Sequence, residues 1–139
     1  MGLVIRRQYF AEAAHRLTDG VPDGHQCRRL HGHRYEIAVT VGGSVHGDGM
    51  IVEYGALDGA IMPTLEKIDH RDLNSLSERD PGPLAASVAR NPTVELLLLW
   101  LVDALSQSVA AIPVRGVRLL GVSVREDALS TVEWSEMYR

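Results

Sequence analysis

At 139 residues, with 45% hydrophobic content and a formal charge of −4, the chain has the size of one domain, residues 1–139, able to bury a real core. It has no basic run, so no nucleic-acid surface is expected, and its one cysteine cannot close an intramolecular disulfide. The opening Met1-Gly2-Leu3-Val4-Ile5-Arg6-Arg7 turns polar too soon for a signal peptide, and the apolar run from Leu96 to Val102 is far below a membrane span, so a soluble cytoplasmic protein is the expectation.

Residues 3–14 read as a strand, and 33–42 more clearly so, with Tyr35, Ile37, Val39 and Val41 on one face against Arg34, Glu36, Ala38 and Thr40. Asp19-Gly20-Val21-Pro22-Asp23-Gly24 between them is turn chemistry. Leu57, Ile61, Leu65 and Ile68 predict a helix over 54–68, bent or broken at Pro63. Residues 77–91 read as a surface loop. Asn91 as N-cap and Pro92 at the first helical position predict a second helix reaching about Val109, so apolar on all sides that it must be deeply buried or covered by another subunit. Strands over 114–125 and 128–138 close the chain. The order ββααββ predicts an α+β domain, a four-stranded antiparallel sheet with two helices on one face.

His15 ends the first strand, and Cys27-Arg28-Arg29-Leu30-His31-Gly32-His33 opens the second. Two residues apart on a strand, His31 and His33 share a face, and Gly32 between them leaves room for close approach. With His15, three imidazoles suit Zn²⁺ with one open position, the catalytic rather than the structural pattern. Cys27 is either a fourth ligand that closes the site or a free thiol beside the metal, activated toward thiolate by the ion, Arg28 and Arg29. Asp69-His70 could form a carboxylate–imidazole pair if a turn lets adjacent side chains meet; otherwise His70 is a helix-terminal histidine. Glu126 reads as a solvated strand-end carboxylate or as a clamp for a planar N–H/NH₂ edge. Glu95 complements the positive helix end, while Thr93 and the free N–H groups beside it could contact a ligand.

Tyr9-Phe10-Ala11-Glu12-Ala13-Ala14-His15, the Cys27-x3-His31-Gly32-His33 run, Asp69-His70 with Leu73, Asn91-Pro92-Thr93-x-Glu95 and Glu126 together resemble the 6-pyruvoyltetrahydropterin synthase superfamily. Three residues between Cys27 and His31 look most like the bacterial 6-carboxy-5,6,7,8-tetrahydropterin synthases of queuosine biosynthesis. The resemblance implies the tunnelling fold, in which three subunits close a barrel and two trimers form a homohexamer with active sites at subunit interfaces. It also implies a carbon–carbon lyase acting on 7,8-dihydroneopterin triphosphate, with Zn²⁺ on His15, His31 and His33. Cys27, Asp69 and His70 would move protons, Glu126 would anchor the pterin, and Thr93 and Glu95 would lie at the substrate. Arg28, Arg29 and Arg34 are candidates for the triphosphate. Arg34, Glu53-Tyr54 and the long 77–90 segment depart from the usual pattern.

The rival readings are pyruvoyl synthesis or dihydroneopterin aldol cleavage on the same scaffold, a hydrolase using zinc-bound water, and a non-catalytic structural zinc module.

Overall fold

A computed structural model describes residues 2–138. Strands β1 (Leu3–His15) and β2 (His31–Gly43) form one long antiparallel ladder, from Leu3 opposite Gly43 to His15 opposite His31. Alternation sorts their side chains. Tyr9, Ala11, Ala13, Tyr35, Ile37, Val39 and Val41 are buried on one face, while Phe10 and Arg34 project from the other and are exposed. β4 (Arg118–Arg125) pairs antiparallel with β2 and adds Val122 and Val124 to the buried face; β5 (Val132–Ser135) pairs with β4.

With β3 (Arg71–Asp72), the sheet has five strands among the described residues rather than four, in the order β3-β1-β2-β4-β5, and it is mixed rather than wholly antiparallel. The added strand lies parallel to β1 at Ala13 and Ala14. A two-residue strand is too short to show periodicity, and only the docking of this segment against β1 creates it. The last strand is also shorter than 128–138, and the chain turns into a 3₁₀ helix at Glu136–Tyr138.

The described residues form three α-helices, one more than expected. Helix α1 (Tyr54–Leu65) is capped by Glu53, whose carboxylate accepts from the N–H groups of Gly55 and Ala56. Pro63 is exposed and lies two residues from the end of the helix, which stops at Leu65 rather than Ile68. The expected loop over 77–91 contains helix α2 (Pro83–Arg90), with Pro83 in its first turn and Ala85 and Val88 buried. At eight residues it is marginal alone, and packing against α3 and the 3₁₀ turn Leu73–Glu78 stabilises it.

Helix α3 (Val94–Ala110) begins at Thr93, not Asn91: the Thr93 hydroxyl accepts from the N–H of Leu96 at 3.2 Å. Leu97, Leu98, Trp100, Leu101, Leu105 and Val109 are buried within the chain itself, each such leucine worth about 1.5–3 kcal/mol of apolar transfer. Its apolar character therefore needs no second subunit, and Leu99 is its one large apolar side chain that is half-exposed. No helix among the described residues is long and apolar enough to cross a membrane.

Candidate functional site

The β1–β2 register sets His15 directly opposite His31, with His33 one step along on the same face. Ring centroids lie 4.5 Å (His15–His31), 5.1 Å (His15–His33) and 5.0 Å (His31–His33) apart. One nitrogen from each falls within 4.8 Å of the others.

Backbone carbonyls orient two of these rings. Nδ1 of His15 lies 2.7 Å from the Pro92 carbonyl oxygen, and Nδ1 of His31 lies 2.7 Å from that of Arg29. A carbonyl only accepts, so each Nδ1 carries a proton, and in the neutral ring Nε2 keeps its lone pair. Nε2 of His15 is buried with no hydrogen-bond partner among the described residues. Burial pushes the His15 imidazolium down to about 4, against the pull of the Pro92 carbonyl and with help from His31 and His33. A neutral, buried, unpartnered imidazole nitrogen facing two others fits a metal ion. The Tyr35 hydroxyl, 3.3 Å from Nδ1 of His15, is raised well above its usual range by burial and by the charge of Glu126.

Cys27 is half-buried on the 3₁₀ turn Gln26–Arg28, outside the metal-competent set of three histidines. Its carbonyl accepts from the N–H of Leu17 (2.8 Å), and its N–H donates to Nδ1 of His25 (3.0 Å).

His70 adopts a left-handed backbone, φ +57°, and this turn lets its Nδ1 meet Asp69 Oδ2 at 3.0 Å. The other Asp69 oxygen accepts from the N–H of Glu12 at 2.8 Å. Burial opposes the Asp69 charge, but the Glu12 N–H and the His70 ring outweigh it and hold the carboxyl below its ordinary range. The His70 side chain is 78% exposed on a groove with Glu12, Gly32, His33 and Arg34. Among the described residues, no hydrogen bond joins the Cys27 thiol to this pair within one chain.

Glu126 directly follows β4 and is half-buried, with Oε2 buried and unpartnered. Burial raises its carboxyl, Asp127 and Glu95 add to the rise, and His33 and His31 oppose it, so the carboxylate lies within electrostatic reach of the histidine cluster. Glu95 is exposed on the first turn of α3, and Thr93 serves as its N-cap.

Several expectations change. Gly32 points to the face away from the histidines, where an added Cβ would sit 3.4 Å from the Ala13 carbonyl, so its space serves the His70 groove and not the metal. The Arg28 guanidinium is turned onto carbonyls of its own loop, and Arg34 pairs with Glu12 and stacks over Phe10. Of the three arginine candidates, Arg29 alone makes no side-chain hydrogen bond or ion pair among the described residues. Sequence reasoning missed Tyr35 and the Pro92 carbonyl as neighbours of His15. It also missed Asn91, whose amide oxygen accepts from the N–H of Thr18, and Asn74, which clamps Arg16 through both its N–H and its carbonyl. The Asn91-Pro92-Thr93 run reads in the sequence as a helix start, a family motif and a ligand contact at Thr93, not as the partner of His15 and Thr18.

The family model for 6-pyruvoyl tetrahydropterin synthase matches residues 4–136. The chain belongs to this family. A Halobacterium salinarum relative named "Probable 6-carboxy-5,6,7,8-tetrahydropterin synthase" is 31% identical over 114 residues, covering 73% of this chain and 71% of that protein. A relative from Archaeoglobus fulgidus is 29% identical over 58 residues, and that match spans only half the length of the relative. Among solved structures, the Caenorhabditis elegans 6-pyruvoyl tetrahydropterin synthase superposes with a TM-score of 0.76 at 21% identity, covering 97% of this chain and 96% of that one. The Plasmodium vivax enzyme of the same name gives 0.68 at 17% identity, over 97% and 99%. At these identities the structural likeness concerns the fold.

Proposed function

We propose that this pterin-synthase family member converts 7,8-dihydroneopterin triphosphate and water into 6-carboxy-5,6,7,8-tetrahydropterin, acetaldehyde and triphosphate. The observation that carries this reading is the convergence of one nitrogen from each of three histidines, with Glu126, whose Oε2 is unpartnered among the described residues, within their electrostatic reach. The name of the Halobacterium relative and the three-residue spacing from Cys27 to His31 support the carboxy product over the pyruvoyl one.

His15, His31 and His33 would hold Zn²⁺. When bound, zinc supplies Lewis-acid polarisation of the substrate's side-chain oxygens. Glu126 accepts two hydrogen bonds from the planar N–H/NH₂ edge of the pterin and so fixes which carbon faces Cys27. The Cys27 thiolate removes protons at the side-chain carbons, and His70, held by Asp69, donates and recovers protons on the opposite side. Thr93 and Glu95 flank the substrate at the start of α3, and Arg29 is the arginine free to meet the triphosphate.

The exposure of His70 leaves it available to a site completed by a neighbouring copy. Among the described residues β1 has no partner outward of Leu3–Glu12, and β5 ends the other side of the sheet, so both edges can pair between copies to close a barrel. The family resemblance implies a homohexamer built as a dimer of trimers, and such edges are compatible with ring closure within each trimer.

The test is mass spectrometry of products from zinc-loaded protein and 7,8-dihydroneopterin triphosphate. Carboxytetrahydropterin with acetaldehyde is expected; a pyruvoyl product would move the reaction while keeping the scaffold. Recovery of intact substrate would sink the functional reading.

A further inference from the structure

Residues 16–30 join the two strands that carry the histidines, and this loop also carries Cys27. Its base is moored to the helices: Asn74 accepts from the N–H of Arg16 at 2.9 Å, and Asn91 from the N–H of Thr18 at 2.9 Å. Its outer part has a different brace. Arg28 donates from Nε to the Pro22 carbonyl (3.1 Å), from Nη1 to that of Thr18 (2.9 Å) and from Nη2 to that of Val21 (2.6 Å). Its Nη2 also lies 3.5 Å from the Asp23 carboxylate.

Guanidinium is the one side-chain group with a rigid, planar set of donors able to serve three carbonyls at once. The residue beside Cys27 therefore spends its fork on the loop, and that leaves little of it for an anion. A loop without such a brace samples many backbone states, and an error of about 1 Å in a reacting group can cost roughly 100-fold in rate.

We propose that Arg28 is a positioning residue that acts on the reaction through Cys27, by locking the outer turn that presents the thiol. This rests on Cys27 being the proton-transfer group of the proposed function. Because Asn74 and Asn91 hold the base of the loop independently, loss of Arg28 leaves Cys27 with only the Leu17 N–H on its carbonyl (2.8 Å) and the local His25 contact, and loosens the turn around it without disturbing His15.

The experiment compares Arg28→Ala and Arg28→Lys with the wild-type protein in the zinc-loaded state. Lysine keeps the charge but cannot reach three carbonyls in one plane, so both variants are expected to behave alike. Hydrogen exchange of peptides within 17–29 should quicken about tenfold and Cys27 should react several-fold faster with iodoacetamide, while exchange in β1 and β2 and the zinc content stay unchanged. With 7,8-dihydroneopterin triphosphate, kcat should fall roughly 10- to 100-fold, with KM within about threefold of wild type. A raised KM at preserved kcat, restored by lysine, would make Arg28 a phosphate ligand and overturn the proposal, as would an unchanged kcat. If alanine prevents folding, the lysine variant carries the same expectations. If wild-type protein does not turn over this substrate, the reaction assignment fails separately; exchange and alkylation rates then decide the brace, and unchanged rates overturn it.

Discussion

Replacing Glu126 by glutamine preserves the shape of the side chain and removes its charge, and the two consequences should have opposite signs. In the folded chain, burial raises this carboxyl above its ordinary 4.5. The folded state then binds more protons than the unfolded state between 4.5 and the raised value, so stability falls as pH rises through that window. At pH 7 the carboxylate is a net liability with one oxygen buried and unpartnered. An unsatisfied buried polar group costs about 1–3 kcal/mol, and half-exposure reduces this to about 0.5–1 kcal/mol. Glu126→Gln should therefore raise Tm by roughly 1–4 °C in zinc-free protein. The gain should shrink when zinc is bound, because a nearby cation offsets the penalty. Pterin binding should move the other way. Loss of a charge-assisted pair worth about 1.5–3 kcal/mol weakens affinity roughly 10- to 150-fold. Thermal denaturation and fluorescence titration with 7,8-dihydroneopterin at pH 7 measure both. Affinity within twofold of wild type, with Tm unchanged or lower, would refute the reasoning and return Glu126 to an ordinary strand-end carboxylate.

His31→Ala should abolish stoichiometric zinc binding as read by metal analysis after dialysis, and full retention of zinc would remove His31 from the ligand set. Cys27→Ala should keep the zinc and lose nearly all turnover; substantial remaining activity would favour a hydrolase using zinc-bound water. Asp58 accepts both arms of Arg7 (2.6 and 2.8 Å) and the Tyr9 hydroxyl (2.6 Å), and these bonds, Arg7 first, hold its carboxyl down to about 2. The stability from a depressed carboxyl is present above about 3.9 and is lost as pH falls through 2. Asp58→Asn should cost about 1 kcal/mol at pH 7, discounted for the partial exposure of the pair, and the gap to wild type should close near pH 2. A gap that does not vary with pH would show that shape, not charge, joins β1 to α1.

Much of the architecture was readable because its signals are local. Period-two alternation in β2 marked the face of Ile37 and Val39, and the His31-x-His33 spacing put two ligand candidates on that face. The turn needed for an Asp69–His70 pair is present at His70. The segments misread have weak local signals: α2 is eight residues of mostly small side chains, β3 is two residues long, and both depend on neighbours distant in sequence. Asn91 suits a helix cap by type and position, yet its amide is used on Thr18 and Asp19, while Thr93 takes the cap.

The strand character of β1 and β2 and the pairing of His31 with His33 on one face were legible in the amino-acid sequence, because side-chain type and periodicity are properties of neighbouring residues, and the order of its motifs carried the family resemblance. Only the tertiary structure decided that His15 stands opposite His31, that the Pro92 and Arg29 carbonyls turn their Nε2 atoms toward one another, and that Arg28 braces a loop instead of facing solvent. Those outcomes depend on strand register and on hydrogen bonds such as His15 to Pro92, 77 residues apart, where the partner of each polar group is chosen by packing rather than by proximity along the chain.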